Sequence, residues 1–146
     1  MYSQGHNDGF DVLTCRYKVE WLILQQRLAQ SSFRSRFRLK EQHIKIFLEK
    51  GADRIFAEAR QILQQRLADA MPLNDGKQTP MRGYPIFIAQ HACGICCRSC
   101  LQKWHHISVN RQLTAAEITK LAWFLTAWIQ KNSNTDKDIH YTPDLF

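Results

Sequence analysis

Residues 76 to 111 contain no aspartate or glutamate, yet they hold Cys93, Cys96, Cys97 and Cys100, the histidines His91, His105 and His106, and the cations Lys77, Arg82, Arg98, Lys103 and Arg111. Thiols, imidazoles and positive charge coincide there. The polar run Asn74-Asp75-Gly76-Lys77-Gln78-Thr79-Pro80-Met81-Arg82-Gly83 leads into this stretch. Its Asn, Asp, Gly and Pro content is the chemistry of consecutive turns, and such a loop is ordered only if something holds it. Pro85 then suits the first turn of a helix running through the cysteines to about Trp104. Residues 86 to 88 could instead form a short strand.

Hydrophobic spacing places helices elsewhere. Val12, Cys15, Val19, Leu22, Ile23 and Leu28 mark a stripe over residues 11 to 30, with Asp11 as a plausible N-cap. Residues 41 to 50 read as a short helix buried through Ile44, Phe47 and Leu48 and ended by Gly51. Asp53 can cap the next, whose buried stripe is Ile55, Phe56, Ala59, Ile62, Leu63 and Leu67, to about Ala70. Thr114 and Glu117 form a capping box, with Leu113 able to staple onto Ile118. The helix they start buries Ile118, Leu121, Ala122, Leu125, Trp128 and Ile129. The expectation is all-α: one compact domain of about five helices, spanning 11–132, with the 74–83 loop folded over the cysteine helix. Residues 1–10 read as a disordered arm and 133–146 as a polar tail.

Between the first two helices the period changes. Phe33, Ser35, Phe37 and Leu39 alternate with Arg34, Arg36 and Arg38, so an extended strand would put the arginines on one side, roughly 6.6 to 6.8 Å apart, near a nucleic-acid phosphate spacing. A linker with docked phenylalanines and solvated arginines fits the same pattern.

The cysteines admit several chemistries. On an unbroken helix, Cys93, Cys96, Cys97 and Cys100 share one arc of about 100°, and a buried stripe of small apolar thiols needs no metal. Cys93 and Cys100 would be about 10.5 Å apart along that helix, too far to share one tetrahedral zinc. A break at Gly94 would relax this and allow a knuckle-like Cys97-x-x-Cys100 turn, with His105, His106, His91 or His43 completing the shell. The spacing Cys93-x3-Cys97-x2-Cys100 matches that of radical-SAM clusters, but the chain is too short for their barrel and lacks its strand–helix alternation. Covalent haem would need histidine where Leu101 stands. Nucleophilic catalysis by a thiolate lacks a recognisable Cys/His/Asp order. Asp75 is the nearest carboxylate, the default for general-base or metal-orienting work, with Lys77 and Arg82 able to stabilise an anion. Residues 76 to 79 lack the upstream glycine and the ending of a Walker A loop.

A length of 146 residues and a formal charge of +7 fit one cored domain with an anionic partner. Five cysteines, four crowded into eight residues, favour reduced thiols and a cytoplasmic setting. No stretch reaches the length of a membrane span, and no leader pattern opens the chain.

Residues 74–83, then Phe87-x-Ala89-Gln90-His91-Ala92, then Cys96-Cys97-Arg98-Ser99-Cys100-Leu101-x-Lys103-Trp104-His105, Leu113-Thr114 and Trp128-Ile129 together resemble an uncharacterised bacterial and phage domain of unknown function. The resemblance covers about residues 33–131. It implies a site without an activity, ties Cys96, Cys97 and Cys100 to the pattern more firmly than Cys93, and points to Cys97, Cys100, His91 and His105 as ligands.

These readings converge on a small basic protein, stabilised by zinc through Cys97, Cys100 and His105 with Cys96 and His91 as further ligands. It would engage nucleic acid or another phosphate-rich partner through Arg34, Arg36, Arg38, Lys77, Arg82, Arg98 and Lys103. Phosphate contacts of this kind fix position without reading sequence. The alternatives are a metal-dependent hydrolase or nucleic-acid-modifying enzyme using Asp75, Lys77 and Arg82, and a mobile-element protein that inhibits a host nucleoprotein.

Overall fold

The final helix is apolar on nearly every side, and a helix of that kind must be surrounded. In the computed structural model, which describes residues 9–134, it is the centre of the molecule. Most of the expected arm and tail therefore lies outside the described residues. The helices are α1 (Thr14–Ala29), α2 (Glu41–Lys50), α3 (Ala52–Arg66), α4 (Pro85–Cys93), α5 (Arg98–His105) and α6 (Ala115–Ser133). No strand occurs among the described residues, and none of the helices is long and apolar enough to cross a membrane.

Every residue of α6 from Leu121 to Ala127 is buried, and α1, α2, α3 and α4 all pack against it. The expected capping box starts it: Glu117 N donates to Thr114 Oγ1 at 3.0 Å and Thr114 N to Glu117 Oε1 at 2.9 Å. Together these bonds satisfy two amide donors that a helix start otherwise leaves open.

Helix α1 turns inward a face that shares only Leu28 with the expected stripe. Tyr17, Trp21, Leu24 and Leu28 are buried, whereas Val12 and Val19 are 66% and 68% exposed and Leu22 and Ile23 are half exposed. Aromatic packing explains the choice: Trp21 and Tyr17 meet Phe124 and Trp123 of α6 at centroid distances of 5.7 to 6.4 Å. Such pairs add to the area that large rings bury. Phe10, assigned by composition to the arm, stacks on Trp123 at 5.0 Å, and its amide donates to Asp53 Oδ1. Asp53 thus ties down the incoming chain instead of capping α3. In α2, His43 is buried and Leu48 is exposed.

Two local breaks determine the site. The arginine-rich segment is no strand: Arg34–Arg36 is a 3-10 turn, after which Phe37 is extended. The cysteine helix is interrupted at Gly94, whose φ of 71° and ψ of 33° form a left-handed C-cap, so the expected single helix is α4 and α5.

Candidate metal centre

Gly94 permits this turn for two reasons. Its positive φ is one that side-chain-bearing residues rarely adopt, and a Cβ there would lie 2.7 Å from Trp104 Cγ and Cδ1. Past it, Ile95 is sealed in the core, and its amide donates to Gln90 O at 2.8 Å. Cys97 then extends (φ −160°, ψ 171°) as the N-cap of α5. Cys100, three residues on, returns over the same helix end.

The turn separates Cys93 from the other thiols. Cys93 stays in the core, where burial pushes its thiol well above the ordinary range. The ligand atoms of Cys96, Cys97 and Cys100 all lie within 4.8 Å of one another, with Sγ separations of 3.4 Å for Cys97 to Cys100 and 3.5 Å for Cys96 to Cys100. Sulfurs at about 2.3 Å from a tetrahedral zinc would be about 3.8 Å apart, so these three side chains fit three corners of one metal site. A hydrogen bond with Cys100, assisted by Arg34, brings Cys96 down to about 7 against the effect of burial. Cys100 moves up, chiefly through that shared hydrogen bond and then by burial.

Arg34 closes the group. Its Nη2 donates to Cys100 Sγ at 3.1 Å, and its Nη1 to Cys96 Sγ at 3.6 Å and to His91 O at 2.7 Å. The 3-10 turn aims Arg34 inward while Arg36 and Arg38 remain exposed. Arg34 was expected to face phosphate; its guanidinium is instead committed to the thiols. Arg98 likewise is 1% exposed and donates to the carbonyls of Asp69, Ser108 and Arg111 at 2.6 to 3.0 Å. It anchors α5 to the end of α3 and to the segment before α6, and it offers no surface charge.

The 74–83 loop does fold onto this centre. Thr79 Oγ1 donates to Cys96 O at 2.8 Å, and Gln90 Nε2 reaches Thr79 Oγ1 at 3.4 Å and Ile95 O at 3.1 Å. His91 Nε2 faces the carbonyls of Thr79 and Pro80 at 3.2 and 3.1 Å, so that nitrogen carries a proton and donates. His105 Nε2 similarly donates to Cys93 O at 2.9 Å, and burial pushes this imidazole down to about 4. Neither histidine joins the three sulfurs. Asp75 Oδ1 accepts from Gln78 Nε2 at 3.1 Å and, weakly, from Arg98 N at 3.4 Å, at the head of α5 where a negative charge is favoured. Lys77 and Arg82 are exposed on the same loop.

Sequence reasoning missed Thr79 and Gln90 as the residues that hold the loop. Both lie inside the runs that carry the family resemblance, which was the available signal. The sequence profile described as Domain of unknown function (DUF4186) matches residues 23–130, a span containing Arg34, the loop and all three clustered thiols. No solved structure matches the chain.

Proposed function

The chain belongs to this family of unknown function, and from its own geometry we propose that it is a small metal-stabilised binding protein for nucleic acid or another phosphate-rich partner. Cys96, Cys97 and Cys100 supply the metal ligands, and zinc suits a tetrahedral thiolate set. The metal fastens α5 to the turn after α4, and through Cys96 O and Thr79 it steadies the 74–83 loop.

The observation that carries the binding role is the charge around this centre. Arg36, Arg38, Lys77, Arg82 and Lys103 are exposed, and they sit on the three segments that converge on the thiols. Among the described residues, the ion pairs use Lys50, Arg54, Arg111 and Lys120 instead. Cations left without acids on a surface supported by a rigid centre match a polyanion. This reading is favoured over a hydrolase because Asp75, the residue available as base, already receives Gln78 and the head of α5.

The test is binding of a labelled DNA duplex by the full chain across a salt series, together with elemental analysis of protein purified without a metal-affinity tag. Five phosphate contacts would give a slope of log Kobs against log salt of about −4 to −5. About one zinc per chain is expected, and chelation should expose thiols and loosen the loop to proteolysis. Binding indifferent to salt would sink the nucleic-acid reading; metal-free protein with thiols reactive only on unfolding would sink the metal reading.

A further inference from the structure

A structural zinc is enclosed by four protein ligands, whereas three leave a position for an exchangeable group. Among the described residues, the only group of three or more metal-ligating side chains is Cys96, Cys97 and Cys100. The other side chains expected as ligands or as a base stand outside that group, each with one atom already bonded: Nε2 of His91 to two carbonyls, Nε2 of His105 to Cys93 O, and Asp75 Oδ1 to Gln78. Cys93 is shut in the core. Cys100 is only partly buried, whereas Cys96 and Cys97 are buried, so its side of the group is the more open to solvent.

Charge then selects the fourth ligand. A divalent ion with three thiolates carries one negative charge, which the Arg34 guanidinium offsets through its contacts with Cys96 and Cys100. Arg36, Arg38, Lys77, Arg82 and Lys103 are exposed on the segments that carry the centre, and positive charge there favours an incoming anion. Soft sulfur suits an ion already held by thiolates. Resting on the metal reading above, we infer that the centre keeps one open position and binds an exogenous thiol there as its thiolate. The thiol gives its proton to solvent, its sulfur forms the fourth bond, and a bound water leaves.

The experiment uses the full chain, reduced, freed of reductant and loaded with Co(II) as a coloured substitute for zinc. Titration with 2-mercaptoethanol should saturate and raise the thiolate-to-cobalt charge-transfer band by about a third, as a fourth sulfur joins three. If cobalt binds and the spectrum does not respond to the thiol, the position is closed; this inference then fails while the metal reading stands. A response to imidazole but not to the thiol overturns the ligand class. Failure to take up cobalt at all removes the metal reading itself, and this inference with it.

Discussion

Arg34 Nη2 donates to Cys100 Sγ at 3.1 Å across 66 residues of chain. That bond joins the turn after α1 to the start of α5, and the same guanidinium reaches Cys96 Sγ and His91 O. Three sulfurs drawn together as thiolates repel one another. A fixed cation among them lowers that cost, and arginine spans two sulfurs and a carbonyl where a point charge would not.

Replacing this cation should weaken the centre without dismantling it. Arg34→Met is expected to lower metal affinity by about ten- to a hundred-fold, the usual effect of losing a group that supports the ligands. Arg34→Lys should recover only part of that loss. Competition against a chromophoric chelator reads both variants, and equal affinity in Arg34→Met would remove Arg34 from the centre.

The turn at Gly94 gives a second expectation. Gly94→Ala combines a left-handed backbone with a Cβ 2.7 Å from the Trp104 ring, so α4 and α5 must shift apart. The backbone strain alone costs about 1 to 3 kcal/mol. Urea unfolding should show that loss, and thiol-modifying reagents should reach Cys96 and Cys97 faster than in the parent. Unchanged stability would mean that the turn can be made by another route.

Particular residues show why some of this was legible and some was not. The capping box at Thr114 and Glu117 is a local code, and its bonds form as read. The glycine break was one of two open readings, because deciding it required knowing that Trp104 would pack on Gly94. Helix α1 carries apolar residues on two opposite faces, and spacing cannot say which one meets the core; the aromatic rings of Trp123 and Phe124, a hundred residues away in sequence, decide it. The arginines posed the same difficulty. Arg34 and Arg36 differ by two positions and are chemically identical, yet one lies on the thiols and the other in water.

The contrast between inner and outer cations is measurable. Arg98→Met would leave the part-buried carbonyls of Asp69, Ser108 and Arg111 without the donors of a side chain that is itself buried, with an expected loss on the order of 2 to 3 kcal/mol. Lys77→Ala or Arg82→Ala should leave stability within about 0.5 kcal/mol. Each of these two should also reduce the salt slope of nucleic-acid binding by about 1. Chemical denaturation and the salt series, run on the same three proteins, separate the two classes. A stable Arg98→Met protein with a reduced salt slope would reverse the assignment.

Glu117 supplies a pH test of the helix start. The Arg111 side chain, at 2.6 and 2.9 Å, together with the cap bonds to Thr114, holds its carboxyl down to about 2 from an ordinary 4.5. A depressed folded-state pKa means that the unfolded chain takes up the proton first. The contribution of Glu117 is therefore fully present above about pH 4.5 and disappears as pH falls through about 2. Glu117→Ala removes the side-chain acceptor for Thr114 N and the charge but keeps the bond from its own amide to Thr114 Oγ1, at about 1 to 2 kcal/mol near neutrality. Glu117→Gln keeps an acceptor for Thr114 N and loses only the charge, so it should cost about 1 kcal/mol or less. Unfolding free energies of parent and Glu117→Gln, taken from pH 7 downward, should converge across that window. Parallel curves that never meet would mean that Arg111 gives the carboxylate no special stabilisation and that the cap works by geometry alone.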